Sequence, residues 1–356
     1  MAINSVITGS GSYIPTVVKR NSDFLTNQFL NEDGTPFGYE NDVVIEKFKS
    51  ITGIEERRYA SPELNSSDLA FFAAEKAIAD AKIDQEDLDY IILAHNFGDV
   101  KSATNQSDIL PSLASRVKHR LGIKNPNCVA YDILFGCPGW IQGMIQAEAY
   151  IKSGMAKKCL VVGTETLSRV LDDHDRDSMI YSDGAGACVV EAVESDAKIG
   201  ILSYAAQTHT FEECFYLFFG KSFDKTKEED TRYIKMYGRK IYEFGLNFVP
   251  TAMKEALDKS GVNILDVKKI LIHQANEKMD EAIIKRFYRL YKTEIPEAVM
   301  PMSIHTLGNS SVATVITVYD LIKHGNLKPH SLQKGDVILM ASVGAGMNIN
   351  AMVYKY

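Results

Sequence analysis

Three polar residues of this chain are candidates for an active site that works through a covalent intermediate, and the first is a cysteine. Cys137 lies between a short predicted strand and the start of a predicted helix, with Gly136 and Gly139 beside it. Free N–H groups at a helix start favour negative charge, so we expect a lowered thiol pKa and a nucleophilic thiolate. The alternative is a buried cysteine that packs as a small apolar side chain, the commonest use of cysteine. The glycines and the helix start favour the nucleophile.

A histidine and an asparagine occupy comparable positions later in the chain. His273 ends an apolar predicted strand, and Asn309 precedes a predicted helix. Ligands of parallel α/β sheets bind beyond the carboxyl ends of the strands, where a histidine can donate to an oxyanion or move a proton. An asparagine amide can also donate to an oxyanion. The alternatives are a histidine that hydrogen-bonds only to backbone and an asparagine that caps a helix.

A glycine-rich segment near the C-terminus is the candidate oxyanion hole. Gly344 and Gly346 flank Ala345, and glycine lets backbone N–H groups approach a substrate closely. No Lys-Ser/Thr pair follows, so the segment is not a phosphate loop. The run Asp183–Gly186 also falls short of a dinucleotide-binding fingerprint.

The elements around these residues occur twice. Cys137 lies 17 residues before Gly154 and Asn309 lies 16 before Gly325, and both glycines end a predicted helix. His95 is the counterpart of His273 and is a candidate for the structural role. We therefore divide the chain into halves, 1–190 with the cysteine and 191–356 with the histidine and asparagine.

The alternation of strands and helices predicts an α/β fold with mostly parallel sheets covered by helices. Two such halves side by side predict a five-layered αβαβα core with a pseudo-two-fold axis. The least regular segment, 207–232, is interpreted as a surface excursion between the halves, and 31–36 as an exposed hairpin or loop.

Bulk properties exclude several classes of protein. The chain has 356 residues, 46% of them apolar, and a net charge of −7, which disfavours non-specific nucleic-acid binding. It contains no apolar run of about 18 residues, so no membrane helix is predicted, and its first residues lack the features of a signal peptide. Its five cysteines form no Cys-x-x-Cys pair. We expect a cytoplasmic protein with free thiols, without a disulfide framework or zinc site.

Taken together, these motifs resemble the thiolase-like condensing enzymes, most closely the β-ketoacyl-[acyl-carrier-protein] synthase III family. The resemblance covers nearly the whole chain. The segments that carry it are 51–57, the Cys137 motif, 178–187, His273-Gln274-Ala275-Asn276, Gly308-Asn309-Ser310-Ser311 and 344–347. It implies the duplicated thiolase-like fold and an acyltransferase.

The resemblance also implies a mechanism. Cys137 is acylated by an acyl-CoA, with acetyl-CoA the expected donor. Malonyl carrier protein then enters, and His273 and Asn309 stabilise the developing oxyanion as carbon dioxide leaves and the carbanion attacks the acyl-enzyme. The backbone N–H groups of Cys137 and Ala345 form the second oxyanion hole. Decarboxylation makes the carbanion without a strong base, and neither a metal nor a redox cofactor is implied.

Two implied binding features depart from the family pattern. The family places the CoA adenine between a Trp and an Arg. Arg176 matches the Arg. The region that holds the Trp in the family, 46–51 here, contains none, and Phe48 is the candidate replacement. Ile51 stands where the family is usually basic. Leu110 matches a position, often Phe in the family, that bounds the acyl pocket of the partner in a homodimer.

The acidic carrier protein requires a basic patch. Lys278, Lys285 and Arg286 lie at helical spacing on a predicted helix over 277–291, and Arg239 could extend the patch. Lys278 and Lys285 match positions that the family uses for docking. The alternative is an ordinary solvated helix face.

Other functions remain open at this stage. The departures at 47–51 and the excursion 207–232 suggest a related condensing enzyme of secondary metabolism, one that uses longer acyl or β-ketoacyl donors to make aryl lipids or polyketides. A hydroxymethylglutaryl-CoA synthase is disfavoured because we find no convincing match to its Glu general base. A non-catalytic scaffold would not need all three candidate residues, and a redox-sensing thiol leaves Asn309 unexplained.

Overall fold

The computed structural model describes residues 1–227 and 230–356. Its strands are β1 (Ala2–Tyr13), β2 (Val17–Arg20), β3 (Glu56–Tyr59), β4 (Tyr90–Ala94), β5 (Asp99–Val100), β6 (Ser107–Asp108), β7 (Val129–Ile133), β8 (Lys158–Thr166), β9 (Asp183–Ser195), β10 (Gly200–Thr208), β11 (Leu217–Lys221), β12 (Arg232–Met236), β13 (Val267–Ile272), β14 (Val337–Gly344) and β15 (Asn348–Lys355). Its α-helices are α1 (Asn41–Thr52), α2 (Ser66–Ala81), α3 (Leu113–Leu121), α4 (Gly139–Lys152), α5 (Gly238–Ser260), α6 (Glu277–Leu290), α7 (Ile304–Leu307) and α8 (Thr314–Lys323).

Local sequence accounts for several helix boundaries. Asp68 accepts a hydrogen bond from the Asn65 N–H at 2.8 Å and so closes the first turn of α2. Helix α3 begins at Leu113, because the Ser112 hydroxyl accepts from the Ser115 N–H and caps it there. Helix α5 ends at Gly261, whose φ of +72° suits glycine.

Two main sheets repeat one pattern. The first has the order β1-β9-β8-β4-β7 and the second β10-β15-β14-β13, so β1, β9, β8 and β4 correspond to β10, β15, β14 and β13. Strand β9 continues to Ser195 and β10 begins at Gly200. The division of the chain at residue 190 stays a prediction; the connection between the two sheets is formed by 196–199.

The expectation of mostly parallel sheets is wrong. Strand β4 runs parallel to β7 and β8, and β13 parallel to β14, but β1–β9, β8–β9, β10–β15 and β14–β15 are antiparallel. A parallel neighbour needs a crossover, usually an α-helix. No α-helix lies between β8 and β9 or between β14 and β15, so these strands return antiparallel.

The buried side chains form the five predicted layers. Helices α4 and α8 lie between the two sheets, in a core that includes Trp140, Met144, Ile316 and Tyr319. Helices α2 and α3 cover the outer face of the first sheet, and α5 and α6 cover the outer face of the second. The fold is therefore the duplicated thiolase-like αβαβα arrangement. Within 1–227 and 230–356, no helix combines the length and apolarity that a membrane span requires.

The segment 207–232 is more ordered than the sequence suggested. Strands β11 and β12 form an antiparallel hairpin in the register Leu217↔Met236. Its second strand is anchored by Lys235, a buried ammonium that contacts Asp172 at 2.6 Å and Asp175 at 3.0 Å. Residues 228–229, which fall in this segment, lie outside the described residues.

Candidate active site

Backbone from both halves meets at Cys137. A Cβ added at Gly344 would lie 2.4 Å from the Cys137 nitrogen, and one added at Gly136 would lie 2.7 Å from the Ala345 nitrogen. Gly136 also has a φ of +67°, in the left-handed region that favours glycine. Only glycine at 136 and 344 permits this approach, which brings the Cys137 and Ala345 peptides side by side. Helix α4 begins at Gly139, two residues after the cysteine.

Cys137 and Ala345 border a cavity of about 220 Å³. Its lining is mostly apolar and includes Phe97, Leu167, Tyr181, Leu217, Phe219 and Ile234. Three of these belong to the β11–β12 hairpin, so the interpretation of 207–232 as a surface excursion is wrong. The apolar run 217–219 resembles an ordinary strand, and only its packing places it beside the cysteine.

The expected lowering of the Cys137 pKa is also wrong. The residue is half-buried, but protein surrounds its sulfur, and burial raises the pKa of the thiol to about 12. The Ser311 hydroxyl opposes this rise by donating to the sulfur at 3.3 Å, and the charge of Glu165 adds to it. Desolvation therefore outweighs the favourable field of the helix start.

Asn309 is 3% exposed and is connected to the cysteine through Ser311. Its Oδ1 accepts from the Ser311 N–H at 2.8 Å, so the side chain does cap the following turn. Its backbone donates to the Ile180 carbonyl at 2.9 Å and its carbonyl accepts from the Ser182 N–H at 2.8 Å. With Oδ1 engaged, the Nδ2 amide is the part of the side chain suited to donate to a ligand.

His273 follows β13 and is 3% exposed. Its backbone N–H donates to the Ala341 carbonyl at 2.8 Å, on the neighbouring strand that leads to Gly344. Among the described residues, its Nδ1 has no hydrogen-bond partner. Burial lowers the pKa of the imidazole to about 4, so the ring is neutral near pH 7.

His95, the counterpart of His273, is fully engaged. Its Nδ1 accepts from the Gly98 N–H at 2.9 Å, and its Nε2 lies 3.0 Å from an Asp132 carboxylate oxygen. Asp132 also accepts from the N–H groups of Leu113 and Ala114. His95 therefore ties β4 to the start of α3, which is a structural role.

Two further residues near Cys137 were missed by the sequence analysis. Asn96 Nδ2 donates to the Glu165 carboxylate and, at 3.1 Å, to the Ser311 hydroxyl. Glu165 is buried at the end of β8, and burial raises its pKa to about 8. It lies two residues after the apolar run 159–163, so the same strand-end rule that singled out His273 could have identified it.

The other cysteines lack such surroundings. Cys128, Cys159 and Cys188 are buried, and all five cysteines are free. Cys214 is half-buried in the segment before β11.

A second cavity of about 490 Å³ contains Arg176, Phe48 and Arg239 in its lining. The guanidinium of Arg176 lies 4.2 Å from the centroid of Phe37, which also lines this cavity. Phe48 instead packs toward Arg57, at 5.7 Å. Phe37 follows the predicted loop 31–36 and was not singled out; it is the aromatic ring that Arg176 contacts.

The remaining predicted binding residues lie at the surface. The exposed cations of α6 include Lys278, Lys285 and Arg286. Arg239 is the second residue of α5 and lines the second cavity. Leu110 is 87% exposed, and its neighbour Ile109 is 54% exposed.

Comparisons with known proteins show the family of this chain. Family models described as 3-oxoacyl-[acyl-carrier-protein (ACP)] synthase III and its C-terminal part match residues 131–210 and 257–356. The chain is 33% identical to β-ketoacyl-[acyl-carrier-protein] synthase III of Caldanaerobacter subterraneus subsp. tengcongensis, covering 98% of this chain and 97% of the relative. It is also 33% identical to the synthase III of Clostridium perfringens strain SM101, covering 99% of each chain.

A solved structure gives the same result. The 3-oxoacyl-[acyl-carrier-protein] synthase III of Aquifex aeolicus is similar to this chain with a TM-score of 0.80 and 30% identity, covering 99% of this chain and 100% of that one. The full-length matches in sequence and in structure agree with the two family models. This chain therefore belongs to the 3-oxoacyl-[acyl-carrier-protein] synthase III family.

Proposed function

We propose that this chain is a β-ketoacyl-[acyl-carrier-protein] synthase III, an acyltransferase that starts fatty acid synthesis. An acyl-CoA acylates Cys137, and malonyl carrier protein then condenses with the acyl group as carbon dioxide leaves. The observation that carries the proposal is the contact of the two halves at Cys137, where Ser311 reaches the sulfur and the Ala345 peptide lies against Gly136. A chain of this family with such a site has the parts that two-step covalent catalysis requires.

The first half-reaction forms the acyl-enzyme. The Cys137 sulfur attacks the thioester carbonyl, and the oxygen becomes an oxyanion beside the backbone N–H groups of Cys137 and Ala345. The close approach permitted by Gly136 and Gly344 supports this assignment. The apolar cavity of about 220 Å³ beside the sulfur is large enough for an acetyl group.

The second half-reaction makes and uses a carbanion. As malonyl carrier protein loses carbon dioxide, negative charge develops on its thioester oxygen. His273, neutral because burial lowers its pKa to about 4, and the Nδ2 of Asn309 donate to that oxygen. The carbanion then attacks the acyl-enzyme and releases the Cys137 sulfur. Decarboxylation drives this step, so neither a metal nor a redox cofactor is required.

The second cavity is the proposed CoA site. Arg176 and Arg239 bring positive charge for phosphates to an apolar cavity, and Phe37 offers a ring for stacking. Phe48 lines the same cavity and shapes its wall rather than stacking on Arg176.

The proposed partners follow from exposed surface. Lys278, Lys285 and Arg286 on α6 form the docking patch for the acidic carrier protein, and Arg239 guides its prosthetic arm. The exposed Ile109 and Leu110 suit burial in a homodimer, where Leu110 bounds the acyl pocket of the partner subunit. We propose a cytoplasmic enzyme without nucleic-acid or membrane partners. The secondary-metabolism alternative is not favoured, because the two relatives that are 33% identical over the full chain are synthases III.

Intact-mass analysis tests the proposal directly. Wild-type protein mixed with acetyl-CoA should gain one acetyl group, and Cys137→Ala should gain none. Cys214→Ser is the control, since it removes a half-buried thiol outside the site and should be acylated like the wild type. A mass gain only from long acyl or β-ketoacyl donors would contradict the acetyl-CoA assignment.

A further inference from the structure

We infer that Ser311 and Glu165 form the path by which the Cys137 thiol loses and regains its proton. Ser311 contacts the reacting sulfur, and Glu165 is a positioning residue that acts through Ser311. This inference rests on the proposed acylation of Cys137, and it adds a proton acceptor that the catalytic trio itself does not supply.

The need for an acceptor follows from burial. The Cys137 thiol has a pKa raised to about 12, so little thiolate forms unaided near pH 7. His273 is a weak base, because the same kind of burial lowers its pKa to about 4. A nucleophilic thiol in such a site needs an adjacent base of higher proton affinity than this imidazole.

The contacts around Ser311 provide a continuous path. Its hydroxyl donates to the Cys137 sulfur at 3.3 Å. The same hydroxyl is near enough to the Glu165 carboxylate to lower the pKa of that group. Asn96 Nδ2 donates to both Glu165 and Ser311, which holds the two side chains in place. Ser311 itself has a φ of +52°, an uncommon conformation for a residue other than glycine, and the Asn309 side chain holds it by accepting from its N–H.

The electrostatics suit a base that works near neutral pH. Burial raises the pKa of Glu165 to about 8, the negative charge of Asp183 on β9 adds to the rise, and hydrogen bonds from Asn96 and Ser311 oppose it. Asp183 in turn faces Arg169 and is hydrogen-bonded by Ser168. A carboxylate that titrates near the working pH is present in both forms, as general base catalysis requires.

The proton balance closes over the full cycle. Before the sulfur attacks the acyl-CoA, the Ser311 hydroxyl, which donates to the sulfur in the structure, turns its proton toward the Glu165 carboxylate. The thiol proton then passes to Ser311 Oγ while the hydroxyl proton of Ser311 passes to Glu165. The CoA thiolate leaves and takes a proton from solvent. When condensation expels the Cys137 thiolate, Glu165 returns its proton through Ser311. One solvent proton is consumed per turnover, as the overall decarboxylative reaction requires.

Alkylation of Cys137 tests the path without any acyl donor. In a Cys214→Ser background, the rate of modification by iodoacetamide is followed by intact mass from pH 6 to 10, with Cys137→Ala as the blank. With Glu165 and Ser311 intact, the alkylation rate of Cys137 should rise with pH, with an apparent pKa near 8. Glu165→Gln should lower the rate at pH 8 by roughly 100-fold or more and move the rise toward higher pH, as expected for loss of a general base.

Matched variants separate this role from a structural one. Ser311→Ala should reproduce the effect of Glu165→Gln, and Glu165→Asp should restore part of the rate. Glu148→Gln is the control, since Glu148 is also a buried carboxyl with a raised pKa but lies in α4 beside Lys152. Its alkylation profile should be that of the unsubstituted protein.

The outcomes are distinct from those of the acetylation experiment. Unchanged profiles in both Glu165→Gln and Ser311→Ala would overturn the path even if acetyl-CoA acylates Cys137. A profile that depends on Glu165 in a protein that no acyl-CoA modifies would support the path and reject the proposed function. If Glu165→Gln does not fold, Ser311→Ala and Glu165→Asp decide the question.

Discussion

The two halves contain the same unit, a strand that ends in a histidine and is followed by a helix, and they use it differently. His95 is held on both ring nitrogens by Gly98 and Asp132, whereas the Nδ1 of His273 has no partner among the described residues. Helices α3 and α6, which follow the two histidines, also differ in whether their charged side chains have partners. A duplicated framework thus holds one histidine in a structural role and leaves Nδ1 of the other without a described partner, which supports the proposed role of His273 in catalysis.

The charges on the two helices extend the comparison. On α3, Arg116 contacts Asp99, Lys118 donates to the Asn125 and Cys128 carbonyls, and Arg120 contacts Asp68. On α6, Lys278 and Lys285 are exposed, and no ion pair joins either of them to another described residue. Internal partners thus occupy Arg116, Lys118 and Arg120 of α3, and Arg286 of α6 donates to the Leu246 carbonyl and to Asn247 Oδ1. Lys278 and Lys285 of α6 have no such ion pair among the described residues and are the cations suited to an acidic partner.

The largest expected effect concerns the free histidine. His273→Ala should lower decarboxylation of malonyl carrier protein by roughly 10²–10⁴-fold, because a donor to the developing oxyanion is lost. Release of carbon dioxide from labelled substrate measures it, and Asn309→Ala should behave alike. Acetylation of Cys137 should persist in His273→Ala, whereas Asn309→Ala also removes the oxygen that holds Ser311 and should slow acetylation. If the decarboxylation rates of both variants stayed within a few fold of wild type, His273 and Asn309 would not be the donors to the oxyanion.

The paired histidine should affect stability instead. His95→Ala removes the contacts with Asp132 and Gly98 and leaves a cavity, which should cost roughly 2–4 kcal/mol of unfolding free energy. Urea unfolding followed by circular dichroism measures the loss. Where the variant is folded, its decarboxylation rate should stay close to that of wild type. A selective loss of that rate would remove the distinction between the two histidines.

The pH dependence of the unfolding free energy should report the burial of His273. In the folded protein His273 has a pKa of about 4, whereas the unfolded chain takes up a proton below about 6.5. Its contribution to stability is therefore fully present above pH 6.5 and is lost as pH falls toward 4. Between pH 7.5 and 5 this amounts to about 2 kcal/mol.

His273→Asn removes the titrating group, so the difference in unfolding free energy between pH 7.5 and 5 should shrink by that amount. Urea unfolding at the two pH values, with wild type alongside, measures the change. An unchanged difference would mean that His273 is not buried as a neutral ring.

The smallest effect should come from the exposed cations of α6. Lys278→Ala and Lys285→Ala should each raise the KM for malonyl carrier protein by about 2–5-fold at low salt, since single surface charges contribute little. The effect should fade as salt screens the charges. Lys118→Ala on α3 is the matched control and should leave that KM unchanged. Equal effects on both helices would argue against docking on α6.

Local sequence was sufficient for the framework of the site. Cys137 and Asn309 precede helices and His273 ends an apolar strand, and these positions follow from periodicity and from turn residues, which are properties of neighbouring residues in the chain. The five layers also follow from the repeated order of strands and helices. The antiparallel return of β9 and β15 was missed, because the direction of a strand depends on the path of its connection.

Only the tertiary structure decided the chemical state of the site. The pKa of the Cys137 thiol rises because packing desolvates it, and no local pattern reports that packing. Leu217 and Phe219 reach the cysteine cavity, and Phe37 reaches Arg176, across long stretches of chain. Glu165 meets Ser311 from the other half of the molecule. Burial and partners depend on which distant segments pack together, so the sequence by itself determined the candidate nucleophile and its framework, and the fold determined its proton affinity and its neighbours.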